Sequence, residues 1–154
     1  MKNKVLVAID NTGLSQLVVD FLSAQVQPSE TEVLTLEIVE PFIYSTPPEM
    51  APGYAPESAV RQKENVDRAQ GTLNQASAML GKAGFKVDTR IIESEIKQGI
   101  LAVASEWGAN LIVVTSHERK GVAKFLHRSV AQGIVHRAPC SVLVVKEPAR
   151  KAAA

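Results

Sequence analysis

Between Thr115 and Val135 the chain gathers the side chains best suited to holding a small anion. Thr115, Ser116 and His117 close an apolar run, and Arg119, Lys120, Lys124 and Arg128 place four cations within ten residues. Ser129 then precedes Val130, Ile134 and Val135 at helical spacing. A serine at a helix start caps the backbone, and the first N–H groups of a helix carry partial positive charge. Ser129, Val130 and Ala131 therefore form a candidate anion cradle, with Ser129 as the expected N-cap. Nearby cations strengthen a phosphate contact, although such a run also suits a solvated surface. Far upstream, Asp10 ends another apolar run. Its carboxylate can accept from sugar hydroxyls or cap the following helix together with Thr12, and the residues leave both open.

Other chemistries find less support. His117 stands near Ser116 and Ser129, but no third residue that would orient a base is identifiable, so no catalytic residue is assigned. His117, His127 and His136 lack metal-site spacing, and no metal is expected. Cys140, the one cysteine, follows a proline and precedes an apolar strand, as a packed small side chain does. A single cysteine excludes an intramolecular disulfide and suggests a reducing compartment, the cytoplasm. Seventeen basic and sixteen acidic residues give a net charge of +1, which provides no overall field for nucleic acid or an anionic membrane. The first apolar run, residues 5–9, is too short for a signal peptide or a span.

The elements that must position these groups follow from periodicity. With 154 residues, 45% of them hydrophobic, the chain suits one domain, expected over residues 1–147, with a frayed tail over 148–154. Residues 4–9 form a continuous apolar run, as in a strand buried on both faces. Asn11, Thr12 and Gly13 supply turn and N-cap chemistry before a helix carrying Leu14, Leu17, Val18, Phe21 and Leu22. A second strand spans 32–39, with Leu34, Leu36 and Ile38 on one face and Val33 and Val39 on the other. Five prolines between Pro41 and Pro56 predict a long loop. An apolar stripe through Val66, Ala69, Leu73, Ala76, Leu80 and Ala83 predicts a helix over 57–82. Val87, Thr89 and Ile91 alternate with Asp88 and Arg90 in an edge-like strand. A helix from Ile96 to Trp107 ends at Gly108, a strand spans 111–114, and a short helix after Ser129 stops before Pro139. Val142 to Val145 form the last strand.

Alternating strands and helices imply a doubly wound α/β domain. Its expected form is one five-stranded parallel sheet, order 3-2-1-4-5, with helices on both faces. Ligands bind such sheets beyond the carboxyl ends of the strands, where the winding reverses. The candidate nucleotide or anion site is therefore Asp10, Val39, Thr115, Ser116, His117, Arg128, Ser129 and Val130. At the sheet edge, Val142, Leu143, Val144 and Val145 would leave an apolar strand unpaired, which predicts a homodimer through that strand.

VLVAID, WGANLIVVTSH and RSVAQGIVHRAPCSVLVVK together resemble the universal stress protein family over nearly the whole chain. The resemblance implies an adenine nucleotide alpha hydrolase-like fold, a cytoplasmic stress-response role and dimers paired through the last strand. Many members bind ATP through G-x2-G-x9-G followed by Ser or Thr. Aligned on this chain, those glycines fall on Thr115, Glu118 and Arg128, and only Ser129 and Asp10 match. Each replacement adds a Cβ where the backbone would approach a phosphate. Glu118 adds a like charge as well, worth roughly 1 kcal/mol of repulsion at about 4 Å in water and more at lower dielectric. The expected function is thus a non-enzymatic stress-response protein, acting as a dimer through protein partners, with ATP binding weak or absent. The alternative is a switch that binds ATP or another adenine nucleotide in a modified loop. Ser94, Glu95 and Ile96 stand where many members carry Gly-Asp-Pro.

Overall fold

The computed structural model describes residues 2–41, 54–117 and 123–147, with side chains placed for 2–41, 59–116 and 129–147. Its strands are β1 (Asn3–Ile9), β2 (Thr31–Val39), β3 (Lys86–Glu93), β4 (Leu111–His117) and β5 (Ser141–Glu147). They form one parallel sheet in the order β3-β2-β1-β4-β5, as the alternating pattern implies. The helices between them are α1 (Gln16–Gln25), α2 (Tyr54–Lys82), α3 (Ile96–Trp107) and α4 (Ala123–Arg137).

Strand alternation divides the core in two. Val5, Val7 and Ile9 of β1 and Val33 of β2 face α1 and α2, meeting Val18, Leu22, Leu73, Ala76 and Leu80. Leu6, Leu34 and Leu36 face the other way, onto Ile100 and Val103 of α3 and Ala131 and Ile134 of α4. Burying each large side chain contributes about 1.5–3 kcal/mol, so the central strands, apolar on both faces, carry the fold. α3 must also approach closely: a Cβ on Gly99 would meet Ser94 Oγ and lie 2.6 Å from Ile38 Cδ1. Gly108 ends α3 at φ 72°, a left-handed conformation that favours glycine. At the other end, the Glu95 carboxylate accepts from Lys97 N and Gln98 N at 3.2 and 2.9 Å. The Gln98 bond leads in lowering its pKa.

Several boundaries differ from the sequence expectations. α1 is capped by Ser15, whose Oγ accepts from Val18 N at 3.4 Å, rather than by the residues just after Asp10. Asp10, Thr12 and Gly13 instead close a turn, in which Gly13 N donates to Asp10 O at 3.0 Å. α2 begins at Tyr54 and admits Pro56 in its first turn, where a missing N–H costs nothing. Most of the expected proline-rich loop, residues 42–53, lies outside the described residues, as does the expected tail at 148–154. β4 continues past Val114 to His117, because β5 pairs with it along its full length.

The sheet is not uniformly laced. β1 pairs with β2 over seven residues, but with β4 only over Val5–Leu111, Leu6–Ile112 and Val7–Val113. A clamp fixes the amino end of this seam. Lys4 N donates to Asn110 Oδ1 and Asn110 N to Lys4 O, both at 2.8 Å. Lys4 Nζ also donates to Trp107 O at 3.1 Å and lies 5.3 Å from the Trp107 ring centroid. Trp107 is half-buried and serves this clamp. Cys140 packs against the α3 and α4 side of the core, where burial raises its thiol pKa.

Candidate functional site

Beyond Val7 the ladder between β1 and β4 stops, and a cavity of about 370 Å³ opens at the carboxyl ends of β1, β2 and β4. Ala8, Ile9, Asp10 and Asn11 form one wall, and residues 36–40 of β2 and its exit form the next. Asn65 and Arg68 reach it from α2, Ile96 and Ile100 from α3, Val114 and Thr115 from β4, and Val130 and Ala131 from α4. The hollow lies at the winding reversal, as the fold requires of a ligand site.

Four of the candidate residues, Asp10, Val39, Thr115 and Val130, come together here. The Asp10 carboxylate accepts from Thr12 N at 2.8 Å and from Thr12 Oγ1, which fixes its orientation at the cavity edge. Val39 is held by a strand-end contact, its carbonyl accepting from Ser94 N at 3.2 Å. Ser116 is half-buried on β4 opposite Lys146 and is not part of the lining. His117 ends β4 and Arg128 lies within α4, but both side chains are outside the described residues.

The anion cradle expected at Ser129 needs correction. α4 begins at Ala123, so Ser129 is its seventh residue and not its N-cap. Residues 123–132 contain no glycine or proline to delay the helix, so the chain winds up earlier than the apolar spacing suggests. An N–H that deep in a helix is committed to an intrahelical carbonyl, so Ser129, Val130 and Ala131 offer no row of open donors. Val130 and Ala131 line the cavity all the same, as residues of the helix interior.

Sequence reasoning missed the most unusual group in the cavity. Glu37 lies in β2 and is only 6% exposed, and its Oε2 has no hydrogen-bond partner among the described residues. Burial pushes its pKa up from 4.5 to about 7. The Asp10 carboxylate adds to the rise and the Arg68 guanidinium opposes it. A lone acid inside TEVLTLEIV, on the face shared with Val33 and Val39, was the available signal. Arg68 donates to Asn65 Oδ1 on the same helix, and on the polar face of α2 it gave no such signal. Asp10, Glu37 and Glu40 against Arg68 make the described lining richer in acidic than in basic groups. Among the described residues there is no cluster of metal-ligating side chains, and no helix is long and apolar enough to cross a membrane.

Residues 1–146 match the Universal stress protein family. Universal stress protein YxiE of Bacillus subtilis is 27% identical over 148 residues, covering 95% of this chain and all of that protein. The universal stress protein from Archaeoglobus fulgidus, solved in complex with dAMP, superposes with a TM-score of 0.65 at 21% identity, covering 94% of this chain and 98% of that one. An Arabidopsis thaliana family protein with AMP bound gives 0.64 at 16%, covering 94% and 92%. The chain belongs to the universal stress protein family.

Proposed function

We propose that this chain is a non-enzymatic stress-response protein whose rim cavity takes an adenine nucleoside or nucleoside monophosphate in preference to ATP. The observation that carries the reading is the cavity itself. It sits at the winding reversal with Asp10 and Val39 on its wall, and Thr115 stands at the position where ATP-binding relatives are expected to carry the first glycine. A volume of about 370 Å³ lies at the small end of ligand pockets and suits a nucleoside better than a triphosphate. Asp10 would accept from the ribose hydroxyls. The relatives solved with dAMP and AMP support a monophosphate as the ligand class. In this reading the bound nucleotide acts as a signal and not as a substrate.

Output would pass through a homodimer paired along Val142, Leu143, Val144 and Val145. β5 is an edge strand whose side chains alternate between the two core faces, leaving its outer backbone edge available to an antiparallel copy about a two-fold axis. Protein partners would then read the dimer.

Calorimetric titration with adenosine, AMP and ATP–Mg²⁺ tests the ligand reading. AMP and adenosine should bind at least about tenfold more tightly than ATP, a difference near 1.4 kcal/mol. ATP binding as tight as AMP, lost in Ser129→Ala and Asp10→Ala, would overturn it. Light scattering at low micromolar concentration tests the dimer, and a clean monomer of 16.6 kDa would refute it.

A further inference from the structure

Glu37 gives the cavity a recognition group of its own. Glu37 lines the hollow, is more than nine-tenths buried, and leaves its Oε2 without a partner among the described residues. A buried polar atom in that state costs stability unless something arrives to satisfy it, and the cavity is where that something would sit. We propose that the protonated Glu37 carboxyl reads the base of the ligand, donating to a ring nitrogen and accepting from the adjacent amino group, so that an amino-imine base binds together with one proton. This rests on the nucleotide reading above and names what selects the base.

The chemistry turns on how many donors the group has. A neutral carboxyl presents one donor and one acceptor side by side, the pairing an Asn or Gln amide offers to adenine. An ionised carboxylate presents only acceptors, and one of them would face the lone pair of the ring nitrogen. The surroundings favour the neutral form. Asp10 at the end of β1 and Glu40 beyond β2 bring negative charge, while α2 contributes Arg68 as the opposing cation. Among the described residues, α3, β4 and α4 contribute Ile96, Ile100, Val114, Thr115, Val130 and Ala131, none of them ionisable. The Glu37 pKa, raised to about 7, puts the change of form inside the range where binding can be followed.

Adenosine is the probe, because it carries no phosphate to titrate. Between about pH 6 and about pH 8 its affinity for the unmodified protein should fall about tenfold, following the protonated fraction of Glu37. Titrations at about pH 8 in two buffers of different ionisation enthalpy should show close to one proton taken up per adenosine. Glu37→Gln keeps a donor and an acceptor but cannot titrate, so its affinity should be level across that range with no proton uptake. Binding by the unmodified protein that is level with pH and takes up no proton would overturn the inference while leaving the nucleotide reading intact. The same slope in Glu37→Gln would do so too. Should Glu37→Gln fail to fold, the proton count on the unmodified protein decides alone. An absence of adenosine binding at either pH would sink the nucleotide reading, and this inference with it.

Discussion

The two sides of the cavity are built on opposite plans. On the β1 and β2 side the polar groups are fixed: Asp10 is held by Thr12, and Glu37 is locked into a central strand facing Arg68. On the β4 and α4 side the described lining is Val114, Thr115, Val130 and Ala131, apolar apart from one hydroxyl. The cations that stand out in the sequence, Arg119, Lys120, Lys124 and Arg128, have side chains outside the described residues, and the charge that lines the described cavity lies on the first side. In the proposed reading, recognition of a base or sugar would draw on strand interiors, whereas recognition of a phosphate would depend on the connection that follows Thr115.

The largest test of this contrast is Glu37. Its folded pKa exceeds the ordinary value, so the native state holds the proton more tightly than the unfolded chain. The stability this gives is complete below about pH 4.5 and is lost as pH rises through about 7. The loss amounts to roughly 3 kcal/mol as an upper figure, taken from the distance between the two pKa values. Denaturant melts across that range should show it, and Glu37→Gln should flatten the curve; a parallel slope in both proteins would remove the buried acid from the comparison. Next comes Gly99→Ala, which pushes on Ile38 behind the β2 wall and should cost about 1–3 kcal/mol by thermal unfolding while narrowing the hollow for adenosine. On the opposite wall Thr115→Gly should cost about 1 kcal/mol as a strand substitution. It should not restore ATP binding in calorimetry, since Glu118 and Arg128 remain; a large gain would show that the second side needs only one glycine. The smallest effect belongs to Ser129→Ala. Within a helix it should change stability by less than about 0.5 kcal/mol, against about 1 kcal/mol for a lost N-cap, and circular dichroism melts separate the two.

Sheet order, both core faces and the position of the hollow were legible because they depend on apolar period, which the sequence displays directly. Asp10 and Thr115 line the hollow because they stand at strand ends, where the fold rule points. Glu37 escapes notice because the alternation Val33, Thr35, Glu37, Val39 signals a strand through its hydrophobes, and the acid in register with them belongs to no motif. The Ser129 error has the opposite cause. The apolar spacing marks where α4 packs, but a helix begins where its backbone first closes, and AKFLHR has nothing to prevent that happening earlier. Val39 lines the hollow, and the backbone contact from Ser94 that holds its strand end has no signal in residue types.

The short β1–β4 seam, clamped at one end by Lys4 and Asn110, means that the described walls of the hollow are made where two strands part. A chamber made by diverging strands owes its walls to the sheet, so a changed side chain on its rim would alter which guest it admits before it altered the vessel.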